Sequence, residues 1–210
     1  MPPALPHKNR PPALRLVYFL LRVFFRAFNS IRVHGLENIP ASGPVIIACN
    51  HLSNADPPAL LSFTALVRLP GIIAKKELFS IPVLGWAMRR WGAIPVDRGR
   101  EGGDLGALRG CMTSLRHDGC LVIFPEGTRA KGRKLKPKPG VALMAHKSGA
   151  PVLAARIFNS ENFLKLGKIT IKYGPLRRFE PPADGDLKAA YVRFSETVMS
   201  DIFSITEEPQ

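Results

Sequence analysis

The stretch Val45-Ile46-Ile47-Ala48-Cys49-Asn50-His51-Leu52-Ser53-Asn54-Ala55-Asp56-Pro57 decides how this chain folds. An apolar run enters a polar turn, and a second apolar run leaves it from Pro58 onward. His51 and Asp56 cannot share one face of a regular helix, because five steps of about 100° leave them about 140° apart. They converge only across a turn, and a strand-to-helix junction supplies one. In α/β proteins the carboxyl ends of strands are where ligands and catalytic side chains gather. Taken alone, the turn has two meanings. His51 is a general base held by the Asp56 carboxylate, or it is a solvent-facing residue beside an aspartate that caps the next helix, with proline at the first helical position.

Outward from this turn, apolar runs and helical segments alternate. Ile31–His34, Ile72–Ala74, Cys120–Phe124, Pro151–Ile157 and Lys168–Tyr173 are expected strands, the last near an edge because charges alternate along it, and Gly92–Arg98 is read as strand then loop. Helices are expected over 59–67, 83–91, 105–117 and 141–147, with a last amphipathic helix capped by Asp184 or Asp186 and running to Phe203. The alternation predicts an α/β domain with a mostly parallel or mixed central sheet flanked by helices, spanning residues 31–205. At 210 residues the chain is long enough for one real core. Neither a G-x-G-x-x-G nor a Walker pattern occurs, so the glycines at 99–103 are read as a loop and not as a nucleotide cradle.

Charge is the unusual feature of the composition. Thirty Lys and Arg face 16 Asp and Glu, a net charge of +14, which attracts polyanions such as nucleic acid, anionic headgroups or phosphorylated substrates. The three cysteines, Cys49, Cys111 and Cys120, lack C-x-x-C spacing and fit a reducing compartment, and Cys49 is expected to pack in the core. The five histidines show no zinc-site spacing, so no metal and no cofactor are expected.

Residues 1–30 read as a proline-rich tail followed by an amphipathic helix. From Ala13 to Phe28, Arg15, Arg22 and Arg26 fall within an arc of about 40° and nearly all the rest of the cylinder is apolar. Sixteen residues cover roughly 24 Å, short of the roughly 30 Å hydrocarbon core, and Arg22 would sit mid-membrane. A spanning helix is therefore rejected, and arginines interrupting the apolar region argue against a signal peptide. Two placements stand: in the membrane interface, with Arg15, Arg22 and Arg26 toward headgroups and Phe19 and Phe25 toward acyl chains, or packed on the core. The lack of any acid before Glu37 favours the interface.

Three turns follow three expected strands: His51/Asp56, Arg98 after Val96, and Glu126/Arg129 after Phe124, with Lys75 or Lys76 entering from a fourth. A base beside guanidiniums suits a nucleophilic hydroxyl carried on a phosphorylated molecule, because arginine's planar fork grips phosphate at two points. The four blocks Asn50-His51-x-x-x-x-Asp56, Gly92-Ala-Ile-Pro-Val-Asp-Arg98, Phe124-Pro-Glu-Gly-Thr-Arg129 and Gly149-Ala-Pro151-Val resemble the ordered motifs of glycerolipid acyltransferases. The resemblance covers about residues 31–175 and points to bacterial 1-acyl-glycerol-3-phosphate acyltransferases, the PlsC-like group. It implies acyl transfer from an acyl-CoA or acyl-carrier-protein (acyl-ACP) thioester to the sn-2 hydroxyl of lysophosphatidic acid, giving phosphatidic acid in phospholipid biosynthesis. His51 and Asp56 are then catalytic. Lys75, Arg98, Glu126, Gly127, Thr128 and Arg129 then bind the acceptor's glycerol phosphate, and Pro151 is structural.

The chemistry of the residues agrees with that implication. An alcohol needs a base within hydrogen-bond reach, and a carboxylate fixes that base's tautomer as in a triad. No G-x-S-x-G elbow exists, and Ser53 is expected to bond backbone in its turn. Within the class, the acceptor is alternatively glycerol-3-phosphate, a lysophospholipid or a lyso-ornithine lipid. Outside it stands a non-catalytic basic protein that binds membrane or nucleic acid, which has no need of ordered catalytic turns. Nucleic acid is accordingly not an expected partner. The expected partners are the acyl donor, the lyso-lipid and an anionic membrane surface, with peripheral or monotopic attachment on the cytoplasmic side of the cell membrane. The run from Arg129 to Lys138, six of whose ten residues are basic, is a solvated loop or a lure for such anions.

Overall fold

The computed structural model describes residues 13–90, 92–97, 99, 104–183 and 185–207. The opening stretch forms the middle of the molecule. Val45–Cys49 is strand β2, fourth of seven in a sheet that also contains β1 (Arg32–His34), β3 (Pro70–Lys75), β4 (Ile94–Val96), β5 (Cys120–Ile123), β6 (Val152–Phe158) and β7 (Thr170–Arg177). The order across the sheet is β1-β7-β6-β2-β5-β3-β4. Strands β2 to β6 all run one way, and β7 lies antiparallel to β6 and carries β1 on its far side. The sheet is thus mixed, with a parallel five-stranded block. β7 is second from the edge instead of at it, because the short β1 pairs Arg32–His34 with Thr170–Lys172 and covers it.

Among the described residues six α-helices accompany the sheet: α1 (Ala13–Asn29), α2 (Asp56–Thr64), α3 (Pro82–Arg90), α4 (Leu105–Arg116), α5 (Gly140–Ser148) and α6 (Leu187–Ser204). β2 sorts them into layers, because side chains of a strand alternate between its faces. Val45, Ile47 and Cys49 join Leu14, Tyr18 and Phe25 of α1 and Leu60 and Phe63 of α2 in one apolar cluster. Ile46 and Ala48 point the other way, into a cluster with Cys111 and Leu115 of α4, Met144 of α5 and Val198 and Ile202 of α6. All five β2 side chains are fully buried, as a strand covered on both faces requires. Asp186 caps α6 by accepting from the Ala189 N–H, and Asp104 caps α4 through the Gly106 and Ala107 N–H groups.

Helix α1 packs one face on the core and leaves the opposite, apolar face exposed. Leu14, Tyr18 and Phe25 face inward, Phe25 with its ring 5.7 Å from that of Phe163, so α1 shares the core of the residues that follow it. Phe25 was expected among acyl chains, and that expectation is corrected: it is 1% exposed. Arg22 is also turned inward, donating to the Ser62 carbonyl near the end of α2, and the Arg26 guanidinium lies 5.6 Å from the Phe63 ring centroid. Phe19 is 52% exposed, and Leu16, Leu20, Val23 and Phe24 form an apolar strip on the helix side facing away from the sheet. Arg15 is exposed as well. Among the described residues no helix is long and apolar enough to cross a membrane. The expected tail at 1–12 lies outside the described residues.

Candidate active site

Because β2, β5, β3 and β4 are adjacent and parallel, the turns that follow them meet at one sheet edge. His51 follows β2. Its Nδ1 lies 2.7 Å from Asp56 Oδ2, and the same oxygen accepts the N–H groups of Leu52 at 2.6 Å and Ser53 at 2.8 Å. An oxygen accepting two backbone N–H groups carries no proton of its own. Nδ1 is therefore the donor, and Nε2 keeps its lone pair for a substrate. Asp56 does not cap α2: the first N–H past the two prolines, that of Ala59, goes to the Ala55 carbonyl, and the Asp56 carboxylate faces back along the loop. Ser53 Oγ accepts the Ala55 N–H, a backbone role inside the turn.

The imidazole is held on several further sides. Its ring stacks on Phe124, centroids 4.2 Å apart at 22°. Its backbone N–H donates to Glu126 Oε2 at 2.7 Å, and its carbonyl accepts from Ala130 N at 2.8 Å. Asn50 fastens the start of the turn to the end of β6, donating to the Ile157 carbonyl and accepting the Ile157 N–H. His51 is 7% exposed and Asp56 is fully buried. The loop is thus over-determined by neighbours from β5, β6 and the segment after β5, the condition for a preorganised base.

Two residues expected to bind phosphate are placed otherwise. Glu126 is buried with its carboxylate against His51 N–H. Burial, and secondarily the Asp56 charge, push its pKa up to about 7, with the His51 N–H opposing. By accepting the His51 N–H, Glu126 braces the histidine turn. Gly127 has already given its N–H to the Phe124 carbonyl. It sits at φ +69°, and a Cβ there would meet Lys138 Cε at 2.8 Å, so this glycine is required by a left-handed turn under a lysine stem. Thr128, Arg129 and Lys75 line the same cavity as His51, Lys75 beside Glu77 at 3.4 Å. Arg98 lies outside the described residues; Val96, two positions before it, pairs in register with Lys75.

That cavity, of about 800 Å³, was not foreseen from sequence. It runs from His51 and Phe124 along β3 residues such as Ile72 and Ala74, under Leu61 of α2, to Val17 and Leu21 of α1 and Leu84 and Met88 of α3. Its walls are mostly apolar, with His51, Asn54, Lys75, Thr128 and Arg129 as the polar residues among them. No single motif announces it, because the wall is assembled from β3, three helices and the turns after β2 and β5, which are far apart in the sequence. Cys49, beneath the turn, is not a nucleophile: burial, then the charges of Asp56 and Glu126, push its thiol well up. Among the described residues no group of three His, Cys, Asp or Glu side chains is placed to hold a metal.

A histidine–aspartate pair beside an apolar cavity is suited to activating a hydroxyl group carried on a fatty molecule. The family model described as Acyltransferase matches residues 30–157, which contain β1 to β6, the His51 turn and the Glu126–Arg129 turn. The chain belongs to the acyltransferase family. It is 34% identical over 142 residues to a chloroplastic 1-acyl-sn-glycerol-3-phosphate acyltransferase of Brassica napus, covering 67% of this chain and 40% of that one. A 1-acyl-sn-glycerol-3-phosphate acyltransferase of Bacillus subtilis is 28% identical over 157 residues, covering 73% and 77%. The crystal structure of the 1-acyl-sn-glycerophosphate (LPA) acyltransferase PlsC from Thermotoga maritima superposes with a TM-score of 0.69 at 25% identity, covering 93% of this acyltransferase-family chain and 81% of the other. The chain spans about 40% of the length of the plant relatives that it matches.

Proposed function

We propose that this protein transfers a fatty acyl group from an acyl-CoA or acyl-ACP thioester to the sn-2 hydroxyl of lysophosphatidic acid, forming phosphatidic acid at the cytoplasmic face of the cell membrane. The observation that carries the proposal is His51, held by Asp56, lining a mostly apolar cavity together with Thr128, Arg129 and Lys75. The acceptor hydroxyl donates to His51 Nε2. As its oxygen attacks the thioester carbonyl, the proton passes to the imidazole, and Asp56 stabilises the resulting imidazolium. The tetrahedral intermediate collapses, the C–S bond breaks, and His51 returns the proton to the departing thiolate. One C–O bond has formed, one C–S bond has broken, and no acyl-enzyme intermediate intervenes.

Arg129, with Lys75, Thr128 and Arg98, grips the acceptor's phosphate, by the two-point pairing that guanidinium favours. The cavity takes an acyl chain, whose transfer out of water the hydrophobic effect rewards at about 25 cal/mol per Å². Helix α1 lies in the interface, its exposed strip around Phe19 and Val23 toward acyl chains and Arg15 and Arg26 toward headgroups.

A panel of acceptors assayed with one acyl-CoA and one acyl-ACP tests the substrate assignment. Lysophosphatidic acid should surpass glycerol-3-phosphate, lysophosphatidylcholine and lyso-ornithine lipid in kcat/KM. Equal or better transfer to an acceptor lacking a phosphate monoester would overturn that assignment while leaving the base in place. Arg129→Ala should raise the acceptor KM roughly 10- to 100-fold, as loss of a charged phosphate contact does; an unchanged KM removes Arg129 from the phosphate site.

A further inference from the structure

Helix α3 contributes no residue to either apolar cluster of the core. Of its nine residues only Gly85 and Ala87 are buried. From Leu78 to Trp86, in the short turn before α3 and in its first half, the surface is apolar side chains: Val83 is 80% exposed, Trp86 65%, Ile81 47%, Leu84 40% and Leu78 38%. Their exposure is fixed by packing. A Cβ on Gly85 would lie 2.1 Å from the Phe79 carbonyl oxygen, so the helix sits directly on the backbone of the preceding turn. Phe79 is buried beneath it, and Arg89 donates to that same carbonyl.

Two observations name the occupant. Leu84 and Met88 of α3 and Val17 and Leu21 of α1 wall one cavity, so the exposed apolar faces of the two helices flank it. The rim has a basic excess: Lys75 and Lys76 lie beside Glu77 and Asp97, and Arg89 and Arg90 end α3. Apolar side chains with an exposed tryptophan inside a cationic rim match the interface of an anionic bilayer. We propose that α3 and the turn before it are a second membrane-inserting face, which with α1 seats the cavity on the bilayer between them. This rests on the reading of the protein as a membrane-surface acyltransferase, and it makes α1 one of two contacts. With both helices inserted, acyl chains enter the cavity directly from the lipid.

Trp86 reports on its own surroundings once Trp91→Phe leaves it the single tryptophan. With vesicles of phosphatidylglycerol and phosphatidylcholine carrying brominated acyl chains, its emission should shift to the blue by several nanometres and be quenched at least twofold. Unchanged emission would overturn the proposal. So would a blue shift that needs no vesicles and grows with protein concentration, since the face would then bind a second copy of the chain. In the otherwise native protein, Val83→Asp with Trp86→Ser should lower partitioning onto the same vesicles at least tenfold. Transfer to a short-chain, water-soluble lysophosphatidic acid should stay at the parent rate. Parental partitioning by that variant would also overturn the proposal. The soluble-acceptor assay decides the activity separately: a parent protein inactive in it contradicts the acyltransferase reading, whatever Trp86 reports.

Discussion

At the residue scale the site depends on how firmly the His51 ring is held. Asp56 supplies three contacts from one oxygen, and only one of them is to the imidazole. Asp56→Asn should therefore do double damage. It presents an amide where Nδ1–H and two backbone N–H groups need an acceptor, and it removes the charge that stabilises the imidazolium. Turnover should fall about 10²–10⁴-fold, the usual size of a general-base contribution, and thermal stability should fall as well. Glu126 makes a second, opposite kind of prediction. Its pKa is about 7 in the folded protein and near 4.5 when unfolded, so between those values the native state holds a proton that the unfolded chain releases. Its contribution to stability is complete below about pH 4.5 and is lost as pH rises through about 7. Glu126→Gln, which keeps an acceptor for His51 N–H, should flatten the fall in Tm between pH 5 and 8. At pH 8 it should leave the variant more stable by roughly 2–3 kcal/mol. A parent-like pH dependence of Tm in that variant would contradict the bracing role.

At the scale of elements, α1 divides sharply between its faces. Phe25→Ala opens a cavity in the core and should cost about 3–5 kcal/mol. Phe19→Ala, on the exposed strip, should leave stability within about 0.5 kcal/mol while weakening vesicle binding; denaturant melts and vesicle sedimentation measure the two effects side by side. This division was not legible in the sequence. A helix apolar around most of its circumference gives two acceptable inward faces, and only the positions of Phe63 and Phe163 select one. Strands were easier. Val45–Cys49 and Cys120–Ile123 are short apolar runs bounded by turn residues, and both lie in the doubly covered middle of the sheet. Their order is another matter: β5 lies between β2 and β3, though it follows both in the chain. The His51 turn was legible as a base partnered by Asp56, with capping by Asp56 left open. The structure decides the second point, because the Ala59 N–H goes to the Ala55 carbonyl. The Glu126 contact spans 75 residues of sequence, and no local pattern encodes it. Gly127 was read as a phosphate contact because the resemblance implied it, whereas its N–H is bonded to the Phe124 carbonyl inside the turn.

Taken whole, the molecule combines a net charge of +14 with exposed apolar strips beside one cavity. Binding to vesicles should therefore have two parts. One is electrostatic and should weaken steeply between about 0.05 and 0.5 M salt, as the screening length shrinks below about 10 Å. The other is apolar and should persist at high salt. Sedimentation with phosphatidylglycerol-containing and pure phosphatidylcholine vesicles over a salt series separates them. Binding that vanishes completely at high salt would show that charge alone holds the protein to lipid. The central claim, that His51 acts as the base for acyl transfer to lysophosphatidic acid, is tested most directly by turnover of a labelled acyl thioester with that acceptor. The measurement compares the parent with His51→Ala, both shown to be folded by matching circular dichroism. The account predicts labelled phosphatidic acid from the parent and a rate at least about 10³-fold lower from the variant; a folded His51→Ala protein that transfers at the parental rate would contradict it.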